Sequence, residues 1–281
     1  MINVGVIGAG AWGSALAIIS KKAGNCTSLW SYDGAAGFGF DGQITGLFED
    51  LSDCDVILVA TPAANFRETI RKYRPFYKNQ SIIICTKGAE SDTNCFMSEI
   101  LAQELPECRE IGVLSGPQFA AEAAAGVPTG STLAGPTNVI KAGRAALPGL
   151  YLEESDDILG TQICGVGKNA VALIAGFFSV AAKGENERAL KVARAWNEVV
   201  DFGTALGATP KTFLGLCGIG DLFLSATSPT SRNFAAGIAI AQNQPITGTV
   251  EGISALRGII ARAKAVGTAT PILSEMAVVL G

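Results

Sequence analysis

Hydrophobic positions fall along this chain first as short unbroken runs and later as long periodic stretches. Residues 2–7 form a mostly apolar run leading into Gly8-Ala9-Gly10-Ala11-Trp12-Gly13. An apolar helical pattern follows as far as Lys22, and Gly24 closes it. Further short apolar runs at 27–30, 56–60, 81–86 and 111–114 predict buried strands. Residues 129–134 and 150–152 predict additions to the same sheet. Strands apolar throughout, alternating with helical segments, belong to a parallel sheet covered on both faces. From about residue 156 the period becomes helical, over 160–180, 188–207, 210–217, 231–242, 250–266 and 272–280. The expected class is α/β: a parallel-sheet domain over 1–155, then an all-α domain over 156–281, with a cleft between them.

Composition narrows the function classes. The 281 residues include 48% apolar and only 16% charged residues, against about 25% charged in an ordinary domain. Low charge and apolar helices point to extensive burial and to a homodimer. The net charge of −4 supplies no basic field for nucleic acid and no polybasic membrane patch. An anionic substrate needs only a local cationic pocket. Seven cysteines, an odd number with no C-x-x-C pair, describe a reduced cytoplasmic chain rather than a disulfide scaffold or a zinc site. The apolar run 170–182 is shorter than the ~20 residues a bilayer requires, so it predicts a buried helix and no integral membrane contact. Histidine is absent. That excludes a Ser–His–Asp triad and leaves Lys, Tyr, Cys, Asp or Glu for acid–base work.

The glycine run gains weight from its context: a strand before it, a helix after it, and Asp33 twenty residues past Gly13. Gly8 allows the tight turn, Gly10 lets the backbone approach a pyrophosphate, and Gly13 lets helix pack on strand. The first domain is therefore of the Rossmann type, binding NAD or NADP. Asp33 suits free ribose hydroxyls, with Tyr32 as the other candidate facing the ribose. At later strand ends, Phe66 is either a dinucleotide contact or a core aromatic. Lys87, in Thr86-Lys87-Gly88, points into the crevice or sits on a solvated loop. Ser115-Gly116-Pro117 starts a helix whose amides can serve a ligand, with Pro117 in its first turn. In the second half, Lys168-Asn169 opens an apolar run, where a charge needs a partner or a task. A helix-start position would also lower the pKa of Lys168 through the helix dipole. Asp221 either caps a helix or has a chemical role. Ser231-Arg232-Asn233 heads another helix, with the arginine suited to a phosphate.

These segments, in this order, resemble the bacterial-type NAD(P)-dependent glycerol-3-phosphate dehydrogenase family. The likeness rests on Gly8 to Gly13 with Ser14-Ala15-Leu16-Ala17, Leu29-Trp30, Thr86-Lys87-Gly88, Leu114 to Glu122, Gly167-Lys168-Asn169, Gly218 to Leu222, Ser231-Arg232-Asn233 and Val250-Glu251-Gly252. The resemblance implies reversible reduction of dihydroxyacetone phosphate, a phosphorylated ketone, to sn-glycerol 3-phosphate for phospholipid synthesis. It makes Lys168 the catalytic proton donor, Lys87 a second lysine at the substrate, and Asp221 the residue orienting them. It places Gly116, Gln118, Asn169, Ser231, Arg232 and Asn233 at the substrate. It places Gly8, Gly10, Ala11, Trp12, Gly13, Tyr32, Asp33, Phe66, Lys87, Ala120, Arg232 and Glu251 at the cofactor. No metal is implied. Departures are a short stretch between Asp33 and Asp55, a short 181–194, and Gln118 where a small hydroxyl residue is usual. Two other readings share the architecture: a lysine-dependent reductase of the ketopantoate or hydroxyisobutyrate type, and a cofactor-binding sensor without catalysis.

Overall fold

A computed structural model describes residues 1–246 and 250–281. Contacts divide the chain into two compact units, Met1–Lys87 with Cys95–Ile158, and Gly88–Asn94 with Leu159–Gly281. The sequence division at 155 leaves residues 88–94 in the first domain, whereas their contacts assign them to the second unit.

The first unit is built on one eight-stranded sheet: β1 (Asn3–Ile7), β2 (Cys26–Trp30), β3 (Gln43–Thr45), β4 (Val56–Val59), β5 (Ser81–Ile84), β6 (Ile111–Ser115), β7 (Gly130–Ala134) and β8 (Tyr151–Ser155). Their order is β3-β2-β1-β4-β5-β6-β7-β8. All pairs are parallel except β6 with β7, where Val113 faces Ala134 and Ser115 faces Thr132. The parallel sheet expected from the sequence is thus present, and β7, one of the two additions, joins it antiparallel to β6. Val4, Val6 and Leu58 lie in one buried cluster with Leu16 of α1 (Ala11–Lys22) and Val139 of α5 (Thr137–Ala146). Ile7, Ile57 and Val59 lie in another with Phe66 and Ile70 of α2 (Ala63–Tyr73) and Ile100 of α3 (Met97–Glu104). Apolar residues on both faces of the central strands β1, β4, β5 and β6 are thus used, one set per helical layer.

The stretch after Asp33 is short but structured. β3 adds to the sheet edge, and the 3₁₀ turn Phe48–Leu51 stacks Phe48 on Trp30 with ring centroids 4.4 Å apart.

The second unit is helical: α6 (Ile158–Ala181), α7 (Glu185–Ala205), α8 (Asp221–Thr227), α9 (Arg232–Ala241), α10 (Glu251–Ala265) and α11 (Pro271–Leu280). α6 has 24 residues and is long and apolar enough to cross a membrane, unlike the 13-residue run 170–182 that suggested otherwise. Within its most apolar window, 78% lies buried inside the protein, so it is the unit's core helix. The helix expected over 210–217 is a 3₁₀ turn, Pro210–Leu214, followed by a π turn, Leu216–Gly220. Extended backbone at Gly215 separates them. Glu198 of α7 accepts from the Ile272 and Leu273 amides, at 2.8 and 3.0 Å, and so caps the start of α11. Its burial raises the carboxyl pKa although those two bonds oppose the shift.

Candidate active-site residues

Strand β1 delivers the chain to the nucleotide turn. Gly8 has φ +108°, and a Cβ there would lie 2.9 Å from Ala60 and Thr61 backbone atoms. A Cβ on Gly13 would lie 1.7 Å from the Gly8 carbonyl oxygen, so helix and turn meet only because both residues lack one. Over Gly10, by contrast, a Cβ would meet no atom of the described residues within 4 Å beyond its two chain neighbours. Gly10 is the N-cap of α1, no side chain caps it, and no acidic residue stands in the first turn. The open space and the uncapped amides of Ala11 and Trp12 fit a dinucleotide pyrophosphate. The buried Nε1 of Trp12 has no hydrogen-bond partner among the described residues.

Past β2, Tyr32 is 91% exposed. Asp33 accepts from the Ala35 amide at 3.1 Å and the Ser31 hydroxyl at 2.9 Å, both through Oδ1. Those two bonds, the backbone one foremost, hold its carboxyl below the usual range. Oδ2 accepts neither bond, so this ionised group can still receive ribose hydroxyls. Phe66, on α2, is 0% exposed and packs in the core with residues of α3 and the sheet. Of its two expected readings, the position fits the core aromatic: the ring fills the sheet–helix interface.

β5 ends at Ile84, and Thr86 is fastened by its hydroxyl to the Thr61 carbonyl at 2.7 Å. Lys87 follows, and its Nζ donates to the Gly116 carbonyl at 2.8 Å. Gly116 is buried against β7, where a Cβ would lie 2.7 Å from Ser131 Cα. The helix after β6 begins only at Ala120, as α4 (Ala120–Ala125), so Pro117 lies in the connection and not in a first helical turn. Gln118 donates from Nε2 to the buried Ser131 hydroxyl. Gly116, Gln118 and Ala120 therefore line one short crossing between β6 and α4.

In the helical unit, Lys168 lies eleven residues into α6, not at a helix start, so the dipole argument for its pKa does not apply. Its Nζ is 3.1 Å from Asp221 Oδ1 and 2.9 Å from Ser225 Oγ. Ser225 Oγ in turn donates to Asp221 Oδ1 at 3.3 Å. The Lys168 side chain is 13% exposed and that of Asp221 2%. A buried ammonium is tolerated only with such partners. Asp221 opens α8 directly after the π turn, an irregularity common at functional sites. Ser225 escaped the sequence reading, and its four-residue spacing from Asp221 on an apolar helix was the available signal.

Beside Lys168, Asn169 donates to Glu251 Oε2 at 3.1 Å and accepts from Asn233 Nδ2 at 2.8 Å. Asn233 Oδ1 accepts from the Gly252 amide at 2.8 Å. One network thus ties the starts of α9 and α10 to the middle of α6. Ser231 caps α9 through its hydroxyl, whose oxygen accepts from Phe234 N–H at 3.5 Å. Arg232 is exposed, and no described carboxylate forms an ion pair with it. No acidic residue occupies the first turn of α9. An unpaired guanidinium beside a helix N-terminus is chemistry suited to a phosphate.

The model for the N-terminus of NAD-dependent glycerol-3-phosphate dehydrogenase matches residues 3–37 and 43–140, and that for its C-terminus matches 157–281. A relative from Caulobacter vibrioides, named as an NAD(P)+ glycerol-3-phosphate dehydrogenase, is 34% identical over 99% of this chain and 92% of its own. The solved glycerol-3-phosphate dehydrogenase of Coxiella burnetii superposes with TM-score 0.89 at 27% identity, covering 97% of this chain and 92% of that one. A ketopantoate reductase from Ralstonia eutropha shares the fold alone, at TM-score 0.61 and 13% identity. The chain belongs to the NAD-dependent glycerol-3-phosphate dehydrogenase family.

Proposed function

We propose that this protein reversibly reduces dihydroxyacetone phosphate to sn-glycerol 3-phosphate with NADH or NADPH. The observation that carries the reading is the buried Lys168–Asp221–Ser225 cluster, an acid–base centre in a chain without histidine. When bound, the reduced nicotinamide supplies a hydride to the C2 carbon. Lys168 gives a proton to the C2 oxygen as that carbon is reduced, and takes it back in the reverse direction. Asp221 and Ser225 hold the ammonium in place and oppose its rotation. Arg232, Ser231 and the α9 amides bind the phosphate, with Asn233 and Asn169 bracing them. Lys87 meets the substrate and the nicotinamide side, beside Gly116 and Gln118. Ala11, Trp12 and the glycines of the turn hold the pyrophosphate. Asp33 and Tyr32 face the ribose, and Ala120 and Glu251 complete the cofactor contacts. The ionised Asp33 favours the free 2′-hydroxyl of NAD over a 2′-phosphate.

The division of labour is a dinucleotide-binding unit and a helical substrate unit. The product is a glycerophospholipid backbone, which suits a cytoplasmic enzyme without integral membrane contact. Leu214 and Phe223, 72% and 70% exposed on the helical unit, support a homodimer. A strict monomer in sedimentation velocity at micromolar concentration would remove that assignment.

Arg232→Ala tests the phosphate end. KM for dihydroxyacetone phosphate should rise by roughly 10–100-fold, the worth of a charge-assisted contact, with the dissociation constant of NADH much less changed. An unchanged KM would take Arg232 off the substrate and reopen an unphosphorylated ketone as substrate.

A further inference from the structure

Lys87 stands where the chain passes from one unit to the other. Its ammonium is tied to the Gly116 carbonyl in the sheet unit, while the next seven residues, Gly88–Asn94, belong by their contacts to the helical unit. This strap is closed on itself. The Asn94 amide donates to the Glu90 carbonyl at 2.8 Å, and the Thr93 hydroxyl to Glu90 Oε2 at 2.5 Å. Asn94 adopts a left-handed conformation, with φ 58°. The Asn94 carbonyl accepts from Arg262 Nη1 of α10 at 3.0 Å, a bond between residues 168 apart in sequence. One turn before Arg262, Gly258 leaves room for the Asn94 side chain; a Cβ there would lie 3.1 Å from Asn94 Oδ1. α10 also begins with Glu251, which holds Asn169, the neighbour of Lys168. Within the helical unit, α10 is thus bonded both to Asn169, next to Lys168, and to Asn94, the last residue of the strap that follows Lys87.

We infer that Arg262 is a positioning residue for Lys87, acting through the strap 88–94. This rests on Lys87 meeting the substrate as set out above. A flexible lysine works only if its main chain is held, because small displacements of a positioned group carry large kinetic penalties. A guanidinium on a backbone carbonyl is a charge-assisted bond with a fixed direction. Losing it frees the strap and slackens the main chain that follows Lys87.

The test uses the full chain with NADH and dihydroxyacetone phosphate. Arg262→Ala should lower kcat/KM roughly tenfold, mainly through KM, with NADH affinity unchanged. Hydrogen exchange should quicken over 88–94. Arg262→Lys should recover part of the loss. Gly258→Val, which crowds Asn94 while keeping the Arg262 guanidinium, should act in the same direction and covers a poorly folding Arg262→Ala. The deciding measurement is the double-mutant cycle: in a Lys87→Ala background, Arg262→Ala should add little. Full additivity overturns the inference, as does normal KM in Arg262→Ala when Lys87→Ala is impaired. Normal kinetics in Lys87→Ala itself would overturn the role of Lys87, and this inference with it.

Discussion

Lys168→Ala is expected to lower kcat by roughly 10²–10⁴-fold, the usual worth of a positioned acid. The loss should fall on kcat and kcat/KM together, because the proton is shared only in the transition state. Removing Lys168 also takes the ammonium away from Asp221, whose side chain is 2% exposed. Breaking one side of such a buried pair costs about 3–5 kcal/mol in general, so a loss of activity could come from unfolding. Lys168→Arg separates the two effects. It keeps a cation opposite Asp221, but a guanidinium does not give up its proton near neutral pH. Low kcat in both variants, with NADH binding and melting temperature of the arginine form near wild type, assigns the loss to proton transfer. Near-normal turnover in either would remove Lys168 from the chemistry.

Gly13→Ala should weaken cofactor binding, raising the dissociation constant of NADH by at least roughly tenfold. The added Cβ would lie 1.7 Å from the Gly8 carbonyl oxygen and 3.4 Å from Ala60 Cβ, so turn and helix must separate. The Gly8 amide bonds the Trp30 carbonyl at 3.1 Å, which ties the turn to β2 and limits how far it can yield. Separation misdirects the α1 amides that fit the pyrophosphate. Gly10→Ala makes a useful contrast. Its Cβ meets no atom of the described residues beyond its two chain neighbours, so it should fold normally and weaken binding only by filling space meant for the ligand. NADH fluorescence titration reads both; normal affinity in Gly13→Ala would contradict the assignment of this turn.

What the sequence disclosed follows from what side-chain pattern encodes. Residues 4–7 and 56–59 are buried on both faces of the sheet, so their unbroken apolar character announced strands under helices. Strand direction leaves no such trace, and the antiparallel β6–β7 pair was invisible for that reason. β3 contains three residues, with one buried, too few for any period to register. Phe66 shows a different limit: its nearness to a strand end is legible, but whether the ring turns to ligand or core depends on α2 packing. Lys168 was marked by a charge inside an apolar run, and Asp221 by its glycine-rich frame. Their pairing, and Ser225 completing it, needed α6 and α8 brought together across more than fifty residues. The strap at 88–94 was unreadable because its anchor, Arg262, lies 168 residues beyond Asn94.

The account turns on one reaction, and the most direct measurement is oxidation of reduced cofactor by the purified chain. With dihydroxyacetone phosphate, NADH or NADPH should be consumed and sn-glycerol 3-phosphate formed in equal amount, and ketopantoate should give no turnover. Tight cofactor binding with no oxidation in the presence of dihydroxyacetone phosphate would contradict the account.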